Sequence, residues 1–528
     1  MSDRADVCLL LEGTYPYVRG GVSSWVHQII TKLPELTFSL IFLGGSRSDY
    51  EGQRYELPEN VVHLETHYMA EALVSSKAAR RSGNPEQFAR MSQMHEFLRQ
   101  PESSAGMDSE LLAQVFDSVS RADGITREDF LYSDESWRYV REQHYERCPQ
   151  DSFVDYFWTV RIMHAPLFQL AEIARGVPEA SVFHTISTGY AGLIGAFLAA
   201  TRGLPLILSE HGIYTKERKI DLAQAEWISE AIKGLGGSLR DGLGYIRKLW
   251  IRFFEGLGRL TYQVADPIVS LYEGNRQRQL DDGAPADKTI IVPNGVNVQR
   301  FGPALDQRSD ELPLVVGFIG RLVPIKDVKT FIRAMRVVCT ALPRAEGWLI
   351  GSSEEEPEYT ADCEALVTSL GLDQQVKFLG FQNVAEILPK LGVVVLTSIS
   401  EALPLVILEG FAAGVPAVST DLGACRELIE GRLPEDRALG PAGAVVDIAD
   451  PEASGRAVID LLGDSERWKQ AQTAAVARVN RFYTQPMMMN AYRDIYERTL
   501  STAGAAAAAE RVAAGRTDEV FGGGGKES

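Results

Sequence analysis

The chain has 528 residues, of which 45% are hydrophobic and 23% charged, and a net charge of −18. That length exceeds one ordinary hydrophobic core and implies two domains, while the acidic balance argues against nucleic acid or an anionic lipid face as the main partner. The five cysteines, Cys8, Cys148, Cys339, Cys363 and Cys425, stand far apart and are odd in number. This excludes a disulfide framework and a CxxC metal knuckle, and points to reduced thiols.

In chain order, the first apolar run, Val7 to Leu11, ends at Glu12 and is too short for a secretory leader. No stretch approaches the roughly 20 apolar residues of a membrane span. The expectation is a cytoplasmic protein that can sit peripherally at a membrane through protein partners. Asp6 to Leu11 is predicted as a buried parallel strand, GGVSSWVHQIITKL as a helix with Ser23 and Ser24 near its start, and TFSLIFLGG and NVVHLET as strands. Strand, glycine loop, helix, strand opens a Rossmann-like unit. Residues 67–165 break this pattern. They are polar and helix-compatible, and are expected to form a helical insertion packed down by Tyr156, Phe157 and Trp158. The alternation resumes with the strand ASVFHTIS, a helix from Tyr190 to Thr201 and the strand PLILSEHG. Asp221 to Ala265 reads as mostly helical, and PIVSLY and IIVPNGVN follow as strands.

A second α/β series starts at Leu312. PLVVGFIGRL, EGWLIGS, QVKFLGF, VVVLTS and PAVSTD are its predicted strands. Asp327 to Leu342, Tyr359 to Leu370, Val384 to Leu391 and Cys425 to Ile429 are its helical segments. The polar, proline-bounded stretch PALDQRSDELP, residues 303–312, reads as the boundary between domains at 1–305 and 306–485. Residues 486–504 are expected to form one more helix. Residues 505–528 are an Ala/Gly-rich tail, helical in part. The fold class is α/β: two Rossmann-like, doubly wound domains facing a cleft, with a ligand loop in each.

The segment SEALPLVILE carries most of the chemistry. Glu401 and Glu409 stand eight residues apart, and Pro404 sits where a helix can begin without its missing N–H. One carboxylate then lies in a strand-to-helix loop and the other on the first turns of the helix. Two acceptors beside a helix N-terminus suit a ligand with several hydroxyls and an anionic group, such as a nucleotide sugar, although an acidic residue in a first turn also serves as a plain cap. In GRLVPIKD, Arg321 and Lys326 follow a buried strand. A loop cation pair clamps a diphosphate and gains strength as charge grows on the leaving group, although an isolated pair of this kind is equally a solvated surface feature. In RGGVSSW, Gly20 and Gly21 let the backbone approach a phosphate at a helix start, or simply make a tight turn. His184 and His211 each end a predicted strand, where α/β sheets place ligands and also structural histidines. His63 and His67 in HLETH lack the glutamate directly after the first histidine that metalloprotease chemistry needs. No D-x-D or Walker A motif occurs, so no metal is expected.

Taken together, EALPLVILEGFAAGVPAVSTDLGACRELI, GRLVPIKD, PNGVN and the N-terminal GGV loop resemble the retaining GT-B glycosyltransferases of family 4. The opening DVCLLLEGTYPYVRGGVSSWVHQII, SEHGIYTKER and the helical insertion resemble, more narrowly, the cytosolic transferases of Pel-type exopolysaccharide synthesis in biofilm formation. The resemblance implies the following roles. Gly21 faces donor phosphates, and Arg321 and Lys326 hold the diphosphate. Glu401 contacts the donor sugar and Glu409 the ribose. The Leu405 and Val406 amides meet phosphate, and Phe381 and Asn383 border the nucleobase. His184 lies near the reactive carbon, with Ile186 where many relatives have a second histidine. His211 and Lys216 lie toward the acceptor. The implied reaction moves a hexose, glucose or N-acetylgalactosamine, from a UDP-sugar to a growing polysaccharide with retained configuration. It needs no cofactor, and a membrane polysaccharide synthase and export complex is the implied partner. From the residues alone ADP and GDP remain open, as do a GT-B nucleotide-sugar 2-epimerase and a nucleotide-sugar-sensing docking subunit.

Overall fold

The computed structural model describes residues 4–70, 80–99, 109–120, 124–225, 244–308 and 311–521. They form two compact units: Met1–Ser270 with Gln277–Ile290 and Tyr492–Ser528, and Leu271–Arg276 with Ile291–Ala491.

The first unit is built on a seven-stranded sheet of β1 (Ala5–Glu12), β2 (Phe38–Gly44), β3 (Val61–Tyr68), β4 (Ala180–Thr185), β5 (Leu206–Glu210), β6 (Ile268–Ser270) and β7 (Thr289–Ile291), in the order β3-β2-β1-β4-β5-β6-β7. β1 pairs parallel with both β2 and β4, aligning Leu9 with Leu40 on one side and with His184 on the other. Val7 to Leu11 are buried throughout, as a strand covered on both faces must be. The insertion is helical where it is described: Pro85–Arg99, Ser109–Ser120, Arg127–Tyr132, Asp134–Arg147 and Phe153–Gly176. It runs about ten residues past the expected limit of 165, because the Phe153–Gly176 helix continues without a break through Pro166. Of the three aromatics expected to pack it down, Tyr156 is buried but Trp158 is 55% exposed. Part of the predicted helical stretch 221–265 lies outside the described residues.

The second unit is a six-stranded sheet of β8 (Val315–Ile319), β9 (Glu346–Ile350), β10 (Val376–Gly380), β11 (Val393–Leu396), β12 (Ala417–Thr420) and β13 (Gly443–Val446), in the order β10-β9-β8-β11-β12-β13, with parallel pairing throughout. Its limit differs from the expected one. Val296, Phe301 and Ala304 are buried in this unit's core, and Val296 bridges to Thr484, so PNGVN and the helix after it belong here rather than before residue 305. The C-terminal helix runs Gln485–Phe521, longer than the predicted 486–504, and from Tyr492 it belongs to the first unit. Among the described residues no helix is long and apolar enough to cross a membrane.

Both sheets reverse direction of winding at one place, between β1 and β4 and between β8 and β11. Open α/β sheets bind ligands at the strand C-terminal ends beside such a switch point. The loops that follow those four strands are therefore where function is sought.

Three histidines buried in the first unit set an acid limit on its stability. Burial depresses His184 to about 3, helped by nearby His211, and depresses His211 and His164 to about 4. An unfolded histidine titrates near 6.5, so between roughly pH 6.5 and 4 the unfolded chain takes up protons that the folded unit refuses. Stability is then full above the unfolded value and is lost as pH falls. Glu210, raised to about 7 by burial, has the opposite sign, since the folded unit holds its proton between about 4.5 and 7. The three histidines outweigh it. Denaturant unfolding of the first unit at pH 5 should start at lower denaturant than at pH 7.5, and the gap should narrow in a His164→Gln variant. An equal midpoint at both pH values would contradict this assignment.

Candidate functional site

In the second unit the loops after β8 and β11 are tied together. Thr397 Oγ1 donates to the Asp327 carbonyl at 2.9 Å and to the Lys326 carbonyl at 3.2 Å, and the Ile399 amide donates to the Ile325 carbonyl at 2.9 Å. Asp327 turns the chain in the left-handed region at φ 45° and caps the helix Val328–Ala341, accepting from the Thr330 amide at 3.2 Å. This puts Lys326 beside Glu401. The ammonium is ion-paired to the carboxylate, whose Oε1 also accepts from Ser398 Oγ at 2.7 Å. Glycine is required next door: a Cβ on Gly423, at φ +54°, would stand 2.4 Å from the Glu401 and Ala402 carbonyls. The Ala424 amide completes the frame, donating to the Ala402 carbonyl at 2.7 Å.

The helix Leu405–Ala412 begins just beyond, at Pro404, with no side chain capping its first turn. The Leu405 and Val406 amides therefore belong to the set of N–H groups a helix start leaves for a ligand. Glu409 lies one turn further on. Burial raises its carboxyl to about 7, and Arg300 offsets part of that rise. Arg321 also stands in the β8 loop, but its guanidinium Nη1 is bonded to Glu355 Oε1 at 2.7 Å. Each of the two loop cations thus carries a carboxylate in this structure. Phe381 is 87% exposed on the loop after β10. Asn383 caps the short helix Val384–Ile387, its Oδ1 accepting from the Ala385 amide at 3.3 Å, while its amide nitrogen donates to Glu386 at 2.7 Å.

In the first unit, Gly20 and Gly21 open the helix Gly21–Lys32, which has no side-chain cap. Gly20 is in extended backbone that any residue adopts, and a Cβ at either position meets nothing within 4 Å. The fold itself does not demand glycine there, and the room above the helix start stays open. His184 is placed differently from the sequence expectation. It is fully buried in the sheet, with Nδ1 2.7 Å from Tyr496 OH and Nε2 2.9 Å from Ser209 Oγ. Both ring nitrogens are committed to the protein, and this is the arrangement of a core histidine rather than one presented to a sugar. His211 is buried too, edge-on to Trp25 at 4.7 Å between ring centroids, while Lys216 is exposed.

The sequence reading passed over a polar cluster at the end of β1. Glu12 Oε2 accepts from Ser187 Oγ at 3.0 Å and from the Ala191 amide at 3.2 Å, and its Oε1 accepts from Tyr214 OH at 3.2 Å. Arg218 covers the Tyr214 ring and donates to its hydroxyl at 3.3 Å. The signal was a glutamate directly ending a buried strand. Ser398 and Glu355 were also unread, although Ser398 stands three residues before Glu401. His63 and His67 flank Glu65, at 3.5 and 2.8 Å. Among the described residues, no three His, Cys, Asp or Glu side chains come together as a metal cage would require.

Residues 313–464 match the family of glycosyl transferases group 1, and residues 5–287, more than half the chain, match the family described as a domain of unknown function, DUF3492. The chain belongs to the DUF3492 family. The second unit of this DUF3492 protein is a group 1 glycosyl transferase domain. Among similar proteins, the D-inositol 3-phosphate glycosyltransferase of Streptomyces avermitilis is 27% identical over 327 residues, 56% of this chain and 62% of the relative. The lipopolysaccharide core biosynthesis glycosyltransferase LpsE of Rhizobium meliloti is 32% identical over 230 residues, 42% of this chain and again 62% of the relative. The chain therefore spans less than two thirds of the length of these relatives. Among solved structures, Anabaena Alr3699/HepE in complex with UDP aligns with a TM-score of 0.55 at 14% identity, covering 93% of this chain and all of that one. Sucrose-phosphate synthase (tll1590) from Thermosynechococcus elongatus gives 0.55 at 15%, covering 94% and 100%. These likenesses show that the fold is GT-B.

Proposed function

We propose that this DUF3492 protein is a retaining glycosyltransferase that moves a hexose from a UDP-sugar to a growing exopolysaccharide, as the PelF transferase of Pel synthesis does. The observation that carries the reading is the Lys326–Glu401–Ser398 group at the β8/β11 switch point, with the open helix start and Glu409 next to it. Lys326 meets the diphosphate, and Glu401 turns from the ammonium to the sugar hydroxyls. The Leu405 and Val406 amides receive phosphate oxygens. Glu409, held largely neutral at neutral pH by its burial, ionises or shares its proton when ribose hydroxyls reach it. As negative charge grows on the departing diphosphate, Lys326 and Arg321 hold the transition state more tightly than the ground state. His184 takes no step. UDP as the nucleotide, the polymer as acceptor and a membrane synthase as partner are supported by the sequence resemblance and by the printed ligand of the HepE structure.

The test is a panel of UDP-, GDP- and ADP-sugars, each with and without EDTA, on the full chain and on Glu409→Ala. The expected result is selective UDP-sugar binding and slow hydrolysis, unaffected by EDTA, with affinity reduced at least tenfold in the variant. Failure of every nucleotide sugar to bind would overturn the reading and favour a docking subunit.

A further inference from the structure

A cavity of about 180 Å3 lies wholly among residues of the second unit. Its walls are apolar and aromatic: Leu403, Ile291, Pro293, Tyr272, Phe482 and Tyr483. Among the described residues none of its three rings is in ring contact with another, so they border a slot rather than fill it. The polar atoms that reach it are mostly donors without work. The half-buried Arg432 has a guanidinium with no ion pair or side-chain hydrogen bond among the described residues, and only its backbone amide is used, donating to Asp436 at 2.9 Å. Tyr483 is only 6% exposed, yet its hydroxyl has no hydrogen-bond partner there, and neither has that of Tyr272. Buried tyrosine hydroxyls ordinarily find a partner, and three idle donors around an apolar slot are an acceptor-shaped gap. The one acid present, Glu427, is bonded by the Glu273 and Gly274 amides and does not answer that gap.

We propose that this cavity is a binding site for a small molecule with an aromatic or compact apolar body and one carboxylate or phosphate group. The body enters between Tyr272 and Phe482, and the anion meets Arg432 and the two tyrosine hydroxyls. The site is separate from the group around Lys326, but it is mechanically joined to it. Leu403 and Ala424 line the cavity, and the Ala424 amide is the one that holds the Ala402 carbonyl beside Glu401. An occupant therefore bears on the loop that carries Glu401, which makes the cavity a regulatory site for whatever that loop does. Binding itself does not depend on the functional reading given above.

The experiment is a titration of the full chain with benzoate, phenyl phosphate and inorganic phosphate, with benzyl alcohol as the neutral control, followed by thermal shift and by ligand-detected NMR. Benzoate or phenyl phosphate should bind at least tenfold more tightly than both benzyl alcohol and inorganic phosphate. Arg432→Met should lower that affinity at least tenfold while leaving the melting temperature of the unliganded protein unchanged. Leu403→Trp, which fills the slot and leaves Arg432 in place, should abolish binding. If benzyl alcohol binds as well as benzoate, if inorganic phosphate binds as well as phenyl phosphate, or if Arg432→Met binds unchanged, the assignment is overturned. If UDP-sugar binding fails while benzoate binds, the functional reading falls and this one stands.

Discussion

Lys326→Ala should lower kcat about 100- to 1,000-fold, the range found when a preorganised charge at a developing anion is removed. The donor KM should change far less. The split follows from geometry. In the unliganded protein the ammonium is already neutralised by Glu401, so donor binding exchanges one anionic partner for another and gains little. Only when the sugar–phosphate bond lengthens does the diphosphate present more charge than the carboxylate it replaced. Lys326→Arg should restore part of the rate, because charge is kept while the point-like ammonium is not. Arg321→Ala should show a milder loss, since this guanidinium is 58% exposed and its charge is screened by solvent. The fold should survive, because the Thr397 and Ile399 hydrogen bonds that shape the loop use only backbone atoms of residues 325–327. Equal effects on KM and kcat, or none, would remove Lys326 from the chemistry. Single-turnover measurement with saturating donor would decide it.

The parts of the fold that read easily were the buried ones. Val7 to Leu11 and Val393 to Leu396 are continuous apolar runs bounded by turn residues, and a strand covered on both faces leaves that trace. Three elements of the second unit left a weaker one. β13 is four half-buried residues at a sheet edge, too short and too mixed to show a period. The helices Pro451–Leu462 and Ser465–Phe482 begin at Asp450 and Asp464, whose side chains accept from the first-turn amides. Those caps were written in the sequence as Asp-Pro and Asp-Ser and could have been read. The helix Glu273–Asp281, EGNRQRQLD, carries no apolar stripe at all; its place comes from packing that no local pattern announces.

The candidate site divides in the same way. Arg321, Lys326, Glu401 and Glu409 were legible because each lies in a short motif attached to a strand end. Their partners were not. Glu355 reaches Arg321 across 34 residues and Ser187 reaches Glu12 across 175, distances over which a sequence offers no register. His184 shows the converse error. A histidine at a strand end looks available until the strand is placed between two others and its two nitrogens are taken by Ser209 and Tyr496, the latter 312 residues away.

Arg478→Met should cost the second unit about 3–5 kcal/mol, which is a large share of the stability of any domain. Arg478 is fully buried on the helix Ser465–Phe482. Its Nε donates to Asp436 Oδ1, its Nη1 to the Leu428 and Ile429 carbonyls at 3.3 and 2.7 Å, and its Nη2 to the Asp436 and Gly440 carbonyls at 3.0 and 2.9 Å. All five guanidinium protons are thereby used, and one side chain ends the helix Cys425–Glu430 and closes the Gly431–Gly440 segment. Methionine fills the volume but strands the Asp436 carboxylate, which is 1% exposed, and four carbonyls. The carboxylate accounts for most of the loss. Asp436 keeps one bond of its own, from the Arg432 amide at 2.9 Å, so the double variant Arg478→Met with Asp436→Asn should regain about 1–2 kcal/mol by removing the unpaired charge, but not the share owed to the carbonyls. Hydrogen exchange resolved by segment is the right measure, because a chain of two units need not unfold in one step. Amides of Cys425–Glu430 and Ser465–Phe482 should lose protection together, while those of β1, β2 and β4 hold theirs. A loss spread evenly over both units, or no loss, would show that this buried pair does not carry the second unit.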